Sequence, residues 1–261
     1  WMSLAFELSV TSNLYTTYLV TLNQADGGGT VQLRPNLYPE INTKNLLTLN
    51  TDLINGANRV VLPPDTARIE IETLKERFPN AIKAAREHNL NQILYLQPRS
   101  DRGWVYPLGF VTSGLAYTYL EHALYELELQ GRIPILKLGL THPIDEEIVR
   151  QFAAQVGELY VIEEKRPLLE TDIKAILSKL YQNGKMDRFV QVWGKEFPDG
   201  LEGIPESRGL HPSILIQRLL PLLQQRFSKK IPIAPDVFAR EAKRIEQVTS
   251  QHVEIPARTP T

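Results

Sequence analysis

Residues 106–140, YPLGFVTSGLAYTYLEHALYELELQGRIPILKLGL, decide the fold of this chain. A short run of mostly apolar residues ends in small polar residues, and an amphipathic stretch follows it and ends at Gly131. A second apolar run comes directly after that glycine. This order predicts a strand, a helix and a second strand. Because a helix-length crossover brings the second strand back parallel to the first, the stretch predicts a βαβ unit.

The same alternation continues toward the C-terminus. Further helices are predicted over 145–156 and 167–184, and further strands over 158–164 and 188–194. The sequence therefore predicts an α/β fold with an open, mostly parallel, Rossmann-like sheet and helices on both faces. After a loop rich in glycine and proline, residues 211–227 predict a helix with Pro212 in its first turn, and the chain after Ser228 is expected to be extended or poorly ordered.

The N-terminal third is less regular. Residues 4–10 predict a helix and residues 14–24 a strand, whereas the glycines and prolines from residue 25 onward are typical of a long connection. Asp65 or Thr66 is expected to cap a helix or helix pair that breaks at Pro79. The expected organisation is a domain remnant, a linker arm that includes these helices, the α/β domain and an extended tail, at residues 1–24, 25–104, 105–227 and 228–261.

Composition narrows the classes of function. The 29 Lys and Arg residues balance the 30 Asp and Glu residues, so no strong field favours nucleic acid or an anionic membrane. No apolar run approaches the roughly 20 residues that span a bilayer, and no signal sequence is visible, so the expected location is cytoplasmic. Cysteine is absent, which excludes disulfides, thiolate nucleophiles and cysteine-ligated metals in this chain.

The candidate binding residues lie where predicted strands end, because ligands of open α/β sheets bind beyond the carboxyl ends of the strands. Thr112, Ser113 and Gly114 precede a helix N-terminus, whose free amides favour an anion such as phosphate or carboxylate. Serine is also a common cap at such turns, and the spaced glycines of a dinucleotide fingerprint are missing. Both interpretations therefore stay open.

Two more strand ends carry charged residues. His142 followed by three acidic residues at 145–147 has the composition of a metal or acid/base cluster, although acidic residues in a first turn also complement the helix dipole. Glu163 and Glu164 point to opposite faces of their strand and cannot form a close carboxylate pair, and one of them is expected to pair with Arg166 or to reach a neighbouring domain. Pro167 is expected at the first position of the next helix.

The two isolated histidines of the predicted helices give little evidence of a functional site. His88 and His122 fall within predicted helices and are more typical of surface or core positions than of ligands. The sequence contains no Gly-x-Ser-x-Gly elbow, Walker loop or His-Glu-x-x-His. From the residues alone, the expectation is a soluble α/β domain with an arm.

Four stretches together carry a resemblance to a known family: GFVTSGLAYTYLEHAL, IPILKLGLTHPIDEEIVRQFA, LYVIEEKRPLLETDIKAIL and VVLPPDTARIEI. In order and spacing they resemble the large (alpha) subunit of indolepyruvate:ferredoxin oxidoreductase and its fused forms, in the 2-oxoacid:ferredoxin oxidoreductase family. The resemblance implies an enzyme that uses thiamine diphosphate, magnesium and iron–sulfur clusters to convert 2-oxo acids to acyl-CoA, with ferredoxin and CoA as partners and a possible homodimer. It also implies that residues 1–24 end a pyrimidine-binding domain and that residues 105–227 resemble the transketolase C-terminal domain.

Departures from that family shape the functional hypothesis. No Gly-Asp pair, which the family uses to hold magnesium on the diphosphate, and no cluster cysteine occurs in this chain. We therefore expect no catalytic residue, cofactor or metal here. Both ends are expected to continue into absent domains, and the tail at 228–261 is expected to lead to an absent cofactor-binding domain. The hypothesis is a non-catalytic structural and docking segment with rim residues His142, Glu163, Glu164 and Arg166. The alternatives are a stand-alone enzyme that uses Glu163, Glu164 or His142 as acid/base groups, an anion- or CoA-binding module at the strand ends, and a regulatory module.

Overall fold

A computed structural model describes residues 2–21, 25–28, 30, 62–96, 106–207 and 209–250. The chain divides into two compact units, Trp1–Ala84 and Ala85–Thr261. None of the helices in the described ranges combines the length and apolar character needed to cross a bilayer. The sequence-based domain boundaries at residues 24, 104 and 227 stay predictions.

The first unit is helical where it is described. Helix α1 (Met2–Ser12) confirms the first prediction, but residues 15–21 form no strand, so the strand expected over 14–24 is wrong in its described part. The side chain of Ser12 instead donates to the carbonyl of Leu8 at 2.6 Å, and Ser9 donates to the carbonyl of Leu14. These local bonds and the positive φ of Asn13 turn the chain out of the helix without placing it beside a partner strand.

A nearly continuous helical segment follows. Helix α2 (Asp65–Glu72) passes through a π-helical turn (Thr73–Arg77) into α3 (Phe78–Glu87). Two expectations were wrong: Asp65 is already helical and makes no N-cap, and Pro79 does not break the segment. The N–H of Phe78 reaches back five residues to the carbonyl of Thr73, so the wider turn absorbs the strain and the missing donor that proline imposes.

The second unit contains the predicted sheet. Its strands are β1 (Gln92–Leu94), β2 (Tyr106–Ser113), β3 (Ile135–Leu138), β4 (Val156–Ile162) and β5 (Gln191–Trp193). They lie in the order β1-β3-β2-β4-β5, and all pairs are parallel except the antiparallel edge pair of β1 with β3. The open, mostly parallel sheet is therefore confirmed. The edge strand β1 was not predicted, since it falls in the stretch assigned to the linker arm.

Helices cover both faces of the sheet, as expected. Helix α4 (Gly114–Glu126) packs on one face with α7 (Pro212–Arg226) and α8 (Pro235–Ser250), and α5 (Glu146–Ala153) packs on the other face with α6 (Leu168–Gln182). The period-2 alternation of β2 explains the two cores: Phe110 faces α4 and α7, whereas its neighbour Val111 faces α5 and α6. Both side chains are fully buried.

The C-terminal tail differs from the prediction. Residues 235–250 form helix α8 instead of an extended segment. Val237 in α8 is fully buried, and Phe238, Ala242 and Ile245 pack on the core beside α4 and α7. Pro235 and Asp236 are residues typical of a helix start, and the prediction of an extended tail did not take them into account. The expectation that the tail leads to a cofactor-binding domain stays a prediction.

The connectivity places a switch point beside β2. The crossover after β2 places β3 on one side of it, and the next crossover returns over β2 to place β4 on the other side. Loops that leave β2 and its two neighbours therefore go to opposite faces of the sheet. In this class of fold the crevice at that point, beyond the carboxyl ends of the strands, is where ligands bind.

Candidate functional site at the carboxyl edge

The loop from β2 into α4 holds the first predicted site. Ser113 is the N-cap residue of α4 but makes no side-chain cap bond, and Gly114 takes a positive φ of 54°. Thr112 is fully buried, yet its Oγ1 has no hydrogen-bond partner. The first-turn amides of α4 are thus not satisfied by the capping side chain, and an unpaired hydroxyl lies one residue away. This arrangement can accept an anion or an ordered water.

The loop from β3 into α5 holds the second predicted site. Asp145 is buried and is the N-cap of α5, where its Oδ1 accepts from the N–H of Glu147 at 3.0 Å. The guanidinium of Arg86 donates two hydrogen bonds of 2.6 Å to the same carboxylate, and this pairing raises the pKa of Arg86. His142 lies exposed on the surface, preceding a cis peptide bond. Asp145 is therefore a helix cap in a charged pair, in agreement with the dipole interpretation.

The acidic residues after Asp145 are also engaged locally. Arg150 and Gln151 donate hydrogen bonds to the carboxylate of Glu147 and hold the pKa of Glu147 at about 2. Glu146 pairs with Lys179 of α6 at 2.7 Å. Within the described ranges, no three His, Asp or Glu side chains come together in a way that could hold a metal ion.

The loop from β4 into α6 holds the third site. Glu163 is buried, and its carboxylate accepts from the N–H groups at the start of α6, at 2.9 to 3.1 Å, namely those of Leu168, Leu169 and Glu170. Glu163 thus caps α6 from outside the helix and does not pair with Arg166. Pro167 occupies the N-cap position, one residue earlier than predicted. Glu164, Lys165 and Arg166 are exposed.

A charged network extends from this loop to the end of β5. Lys195 donates from Nζ to the carbonyl of Glu163 at 2.8 Å, and its backbone N–H donates to Glu170. Glu170 is buried and also binds Lys174 at 2.6 Å. Burial lowers the pKa of Lys195, and the carboxylates of Glu163 and Glu170 oppose that shift. Glu170, Lys174 and Lys195 line a cavity of about 310 Å³ beside α6.

Two residues of this network, Lys195 and Glu170, were not among the candidate site residues predicted from the sequence. The signal for Lys195 was present, because it follows a predicted strand and so reaches the same edge as the other strand ends. Glu170 gave no usable signal, because a glutamate in a first helical turn is ordinarily solvated. His122 lies on the exposed side of α4 near Glu126, as expected for a surface residue, and His88 follows the end of α3.

These features define an open, doubly wound α/β domain whose carboxyl edge carries charged loops. Residues 104–243 match the family model described as the indolepyruvate oxidoreductase domain, which covers more than half of the chain. The chain belongs to this family. That result confirms the resemblance found in the sequence.

Individual relatives agree with the family match. Residues of this chain are 30% identical over 146 positions to the indolepyruvate oxidoreductase subunit IorA of Archaeoglobus fulgidus, covering 53% of this chain and 22% of that protein. The IorA subunit of Methanothermobacter thermautotrophicus is 32% identical over 133 positions, covering 49% of this chain and 20% of that protein. The chain therefore spans about a fifth of the length of these curated relatives.

A solved structure with a weaker likeness is the 2-oxoglutarate:ferredoxin oxidoreductase from Magnetococcus marinus with 2-oxoglutarate, coenzyme A and succinyl-CoA bound. It is 12% identical, with a TM-score of 0.36, and the alignment covers 61% of this chain and 23% of that one.

Proposed function

We propose that this chain is a non-catalytic structural and docking segment of a thiamine diphosphate-dependent 2-oxoacid:ferredoxin oxidoreductase of the indolepyruvate type. The observation that supports the proposal is that the buried carboxylates at the carboxyl edge bind backbone N–H groups at the starts of helices. Asp145 and Glu163 both hold helix N-termini, so their lone pairs are engaged in structure rather than exposed to a substrate. This arrangement disfavours the stand-alone enzyme that would use Glu163 as an acid or base.

The cofactors of such an oxidoreductase do not fit the side chains present here. The sequence has no cysteine to ligate an iron–sulfur cluster, and the described residues gather no oxygen-rich set for magnesium on a diphosphate. We assign thiamine diphosphate, magnesium and the clusters to other parts of the enzyme, together with contacts to ferredoxin. The cytoplasmic location and a homodimer stay predictions.

We assign the docking contact to the residues at the tip of the β4–α6 loop. Glu164, Lys165 and Arg166 are exposed there, and the adjacent Leu168 is 73% exposed although it is a large apolar residue. An apolar side chain ringed by charges is a common centre of a protein interface. We name residues 164, 165, 166 and 168 the rim surface, and we assign it to contact with another domain or subunit of the same enzyme.

The test uses the complete oxidoreductase with Leu168→Asp on the rim surface. We expect weaker association between the parts of the enzyme and a corresponding loss of indolepyruvate oxidation, measured by analytical ultracentrifugation and by ferredoxin reduction. Lys185→Asp, at an exposed position after the C-terminal end of α6, is the matched control and leaves both unchanged. Normal assembly and full activity of Leu168→Asp contradict the docking role.

The uncapped start of α4 favours a second role, the binding of an anionic group such as a phosphate of coenzyme A at Thr112, Ser113 and Gly114. The support is the missing cap bond at Ser113 together with the unpaired buried hydroxyl of Thr112. Ser113→Asp supplies an internal carboxylate to the same amides, so we expect it to abolish CoA binding in calorimetry. Thr118→Asp, one turn later and exposed, is the control that retains binding. Equal affinity of both variants removes this role.

A further inference from the structure

A cavity of about 420 Å³ lies between α4, the start of α7 and α8, and none of its lining residues belongs to the carboxyl-edge loops. Its volume falls within the range of roughly 300–1,000 Å³ that is typical of small-molecule sites. The apolar part of the wall comes from α7 and α8 and includes Ile214, Ile216 and Ile245. Imidazoles of His122 and His211 stand on the α4 and α7 sides.

The polar side of the cavity is held in a fixed arrangement. Glu241 of α8 is only 2% exposed, and its carboxylate binds Arg240 at 2.8 Å and Arg244 at 3.2 Å. Arg244 also donates to Glu126 of α4 at 2.9 Å. The arginine–glutamate hydrogen bonds therefore hold this polar corner in place beside the apolar wall.

The charge balance decides which ligands suit the cavity. Among the lining side chains that the structure describes, the carboxylates of Glu126 and Glu241 share the guanidinium of Arg244, and the imidazole of His122 lies 3.7 Å from Glu126. Arg240 adds a cation outside the lining, and Glu128 faces it at 4.0 Å, so the excess of negative charge remains. Among the described lining residues, an anionic ligand would meet no cation without a carboxylate partner, whereas an amine would find the carboxylate oxygens of Glu126.

We propose that this cavity binds small organic amines, with the ammonium group near Glu126 and an aromatic or aliphatic body against the isoleucine wall. His122 and His211 provide flat faces for an aromatic ring. Anchoring of α8 explains the arginine–glutamate pairs, but it does not require an open apolar cavity beside them. The site goes beyond the proposed docking role and is independent of it.

The test compares three probes with the same phenyl body: phenethylamine, phenethyl alcohol and 3-phenylpropionate. NMR titration of the folded chain reports binding through the imidazole resonances of His122 and His211. We expect the amine to shift both resonances and to bind about tenfold more tightly than the alcohol, the scale of one charge-assisted hydrogen bond, with the acid weakest. Equal binding of the acid and the amine, or no shift at either histidine, overturns the proposal.

Substitutions in and outside the cavity test where the amine binds. Gln217→Trp fills the cavity from α7 and is expected to abolish amine binding, and Gln224→Trp, exposed on the same helix and outside the lining, is expected to retain it. Glu126→Gln removes one negative charge and is expected to lower amine affinity about tenfold while leaving alcohol affinity unchanged. Circular dichroism verifies that each variant is folded. Amine binding that survives Gln217→Trp places the site elsewhere and contradicts the proposal.

Discussion

The carboxylate of Glu163 accepts a hydrogen bond from the backbone N–H of Leu169 at 2.9 Å, six residues further along the chain. Together with the bonds from the flanking amides, this contact ties the end of β4 to the start of α6. A carboxylate at a helix N-terminus is favoured both by free N–H groups and by the helix dipole. Glu163 therefore stabilises the edge from which the rim surface projects.

We expect Glu163→Gln to lower the free energy of unfolding by about 1–3 kcal/mol, because it weakens a charge-assisted cap and leaves buried amides poorly satisfied. Urea denaturation of the isolated chain measures the change. Glu164→Gln is the control: that side chain is exposed, so its effect stays within about 0.5 kcal/mol. Equal effects of the two substitutions would show that the cap contributes nothing.

Gly109 in β2 is expected to tolerate no side chain. A Cβ built there lies 2.8 Å from Cζ of Phe152 and 2.8 Å from Cγ1 of Val156, both in the core under α5. Gly109→Ala overpacks this site and should cost about 1–3 kcal/mol in thermal or urea unfolding. Gly28→Ala, where no atom of the described residues lies within 4 Å of the added Cβ, is the neutral control. Unchanged stability of Gly109→Ala contradicts the close packing of α5 on the sheet.

Glu147 predicts a specific dependence of stability on pH. Hydrogen bonds from Arg150 hold its pKa at about 2, below the ordinary value of 4.5. Because the folded chain binds the proton less readily, the pair stabilises the fold above pH 4.5, and this contribution fades as pH falls toward 2. The pair is exposed to solvent, which screens it, so its contribution to stability is small.

The measurement compares the wild type with Glu147→Gln in urea at pH 6 and at pH 2.5. We expect the wild type to be the more stable protein at pH 6 and the difference to narrow at pH 2.5, because most of the stabilisation is lost as the pH falls from 4.5 toward 2. A gap of the same size at both values of pH would rule out ionisation of Glu147 as its cause.

If residues 235–250 form helix α8 on the core, a substitution in its buried face should lower the stability of the fold, which an extended tail would not predict. Val237 is fully buried, so Val237→Ala removes two methyl groups from the core and is expected to cost about 2 kcal/mol. Glu246→Ala on the exposed side of the same helix serves as the control, with little effect in the same denaturation assay. No loss of stability in Val237→Ala means that α8 does not pack on the core in solution.

The sequence predicted the sheet because its strands and crossovers follow simple periodic patterns. Leu108, Phe110 and Val111 form a continuous apolar run, which is what a strand buried on both faces requires. Edge strand β1 gave a weaker signal, because its three residues are half-buried and its pairing with β3 depends on contacts distant in sequence. Helix α8 was not predicted although Pro235 and Asp236 mark its start, because only its packing beside α4 and α7 accounts for its apolar positions.

The sequence predicted which residues lie at the strand ends, and a binding site there stays a prediction. The rule that parallel strands end at one edge correctly drew attention to Thr112, Asp145 and Glu163. It could not show that both carboxylates, those of Asp145 and Glu163, are helix caps, because that depends on the geometry of the loops that follow the strands. Partners distant in sequence, such as Arg86, which binds Asp145 from 59 residues away, are likewise set by tertiary structure.

The central claim is that this chain supports a 2-oxoacid oxidoreductase without performing its chemistry. The most direct measurement supplies the purified chain with indolepyruvate, coenzyme A, thiamine diphosphate, magnesium and an electron acceptor dye, with the complete enzyme as positive control. We expect the complete enzyme to reduce the dye and the chain alone to leave it oxidised. Dye reduction by the chain alone, dependent on indolepyruvate, would contradict the claim and make the carboxyl edge an active site.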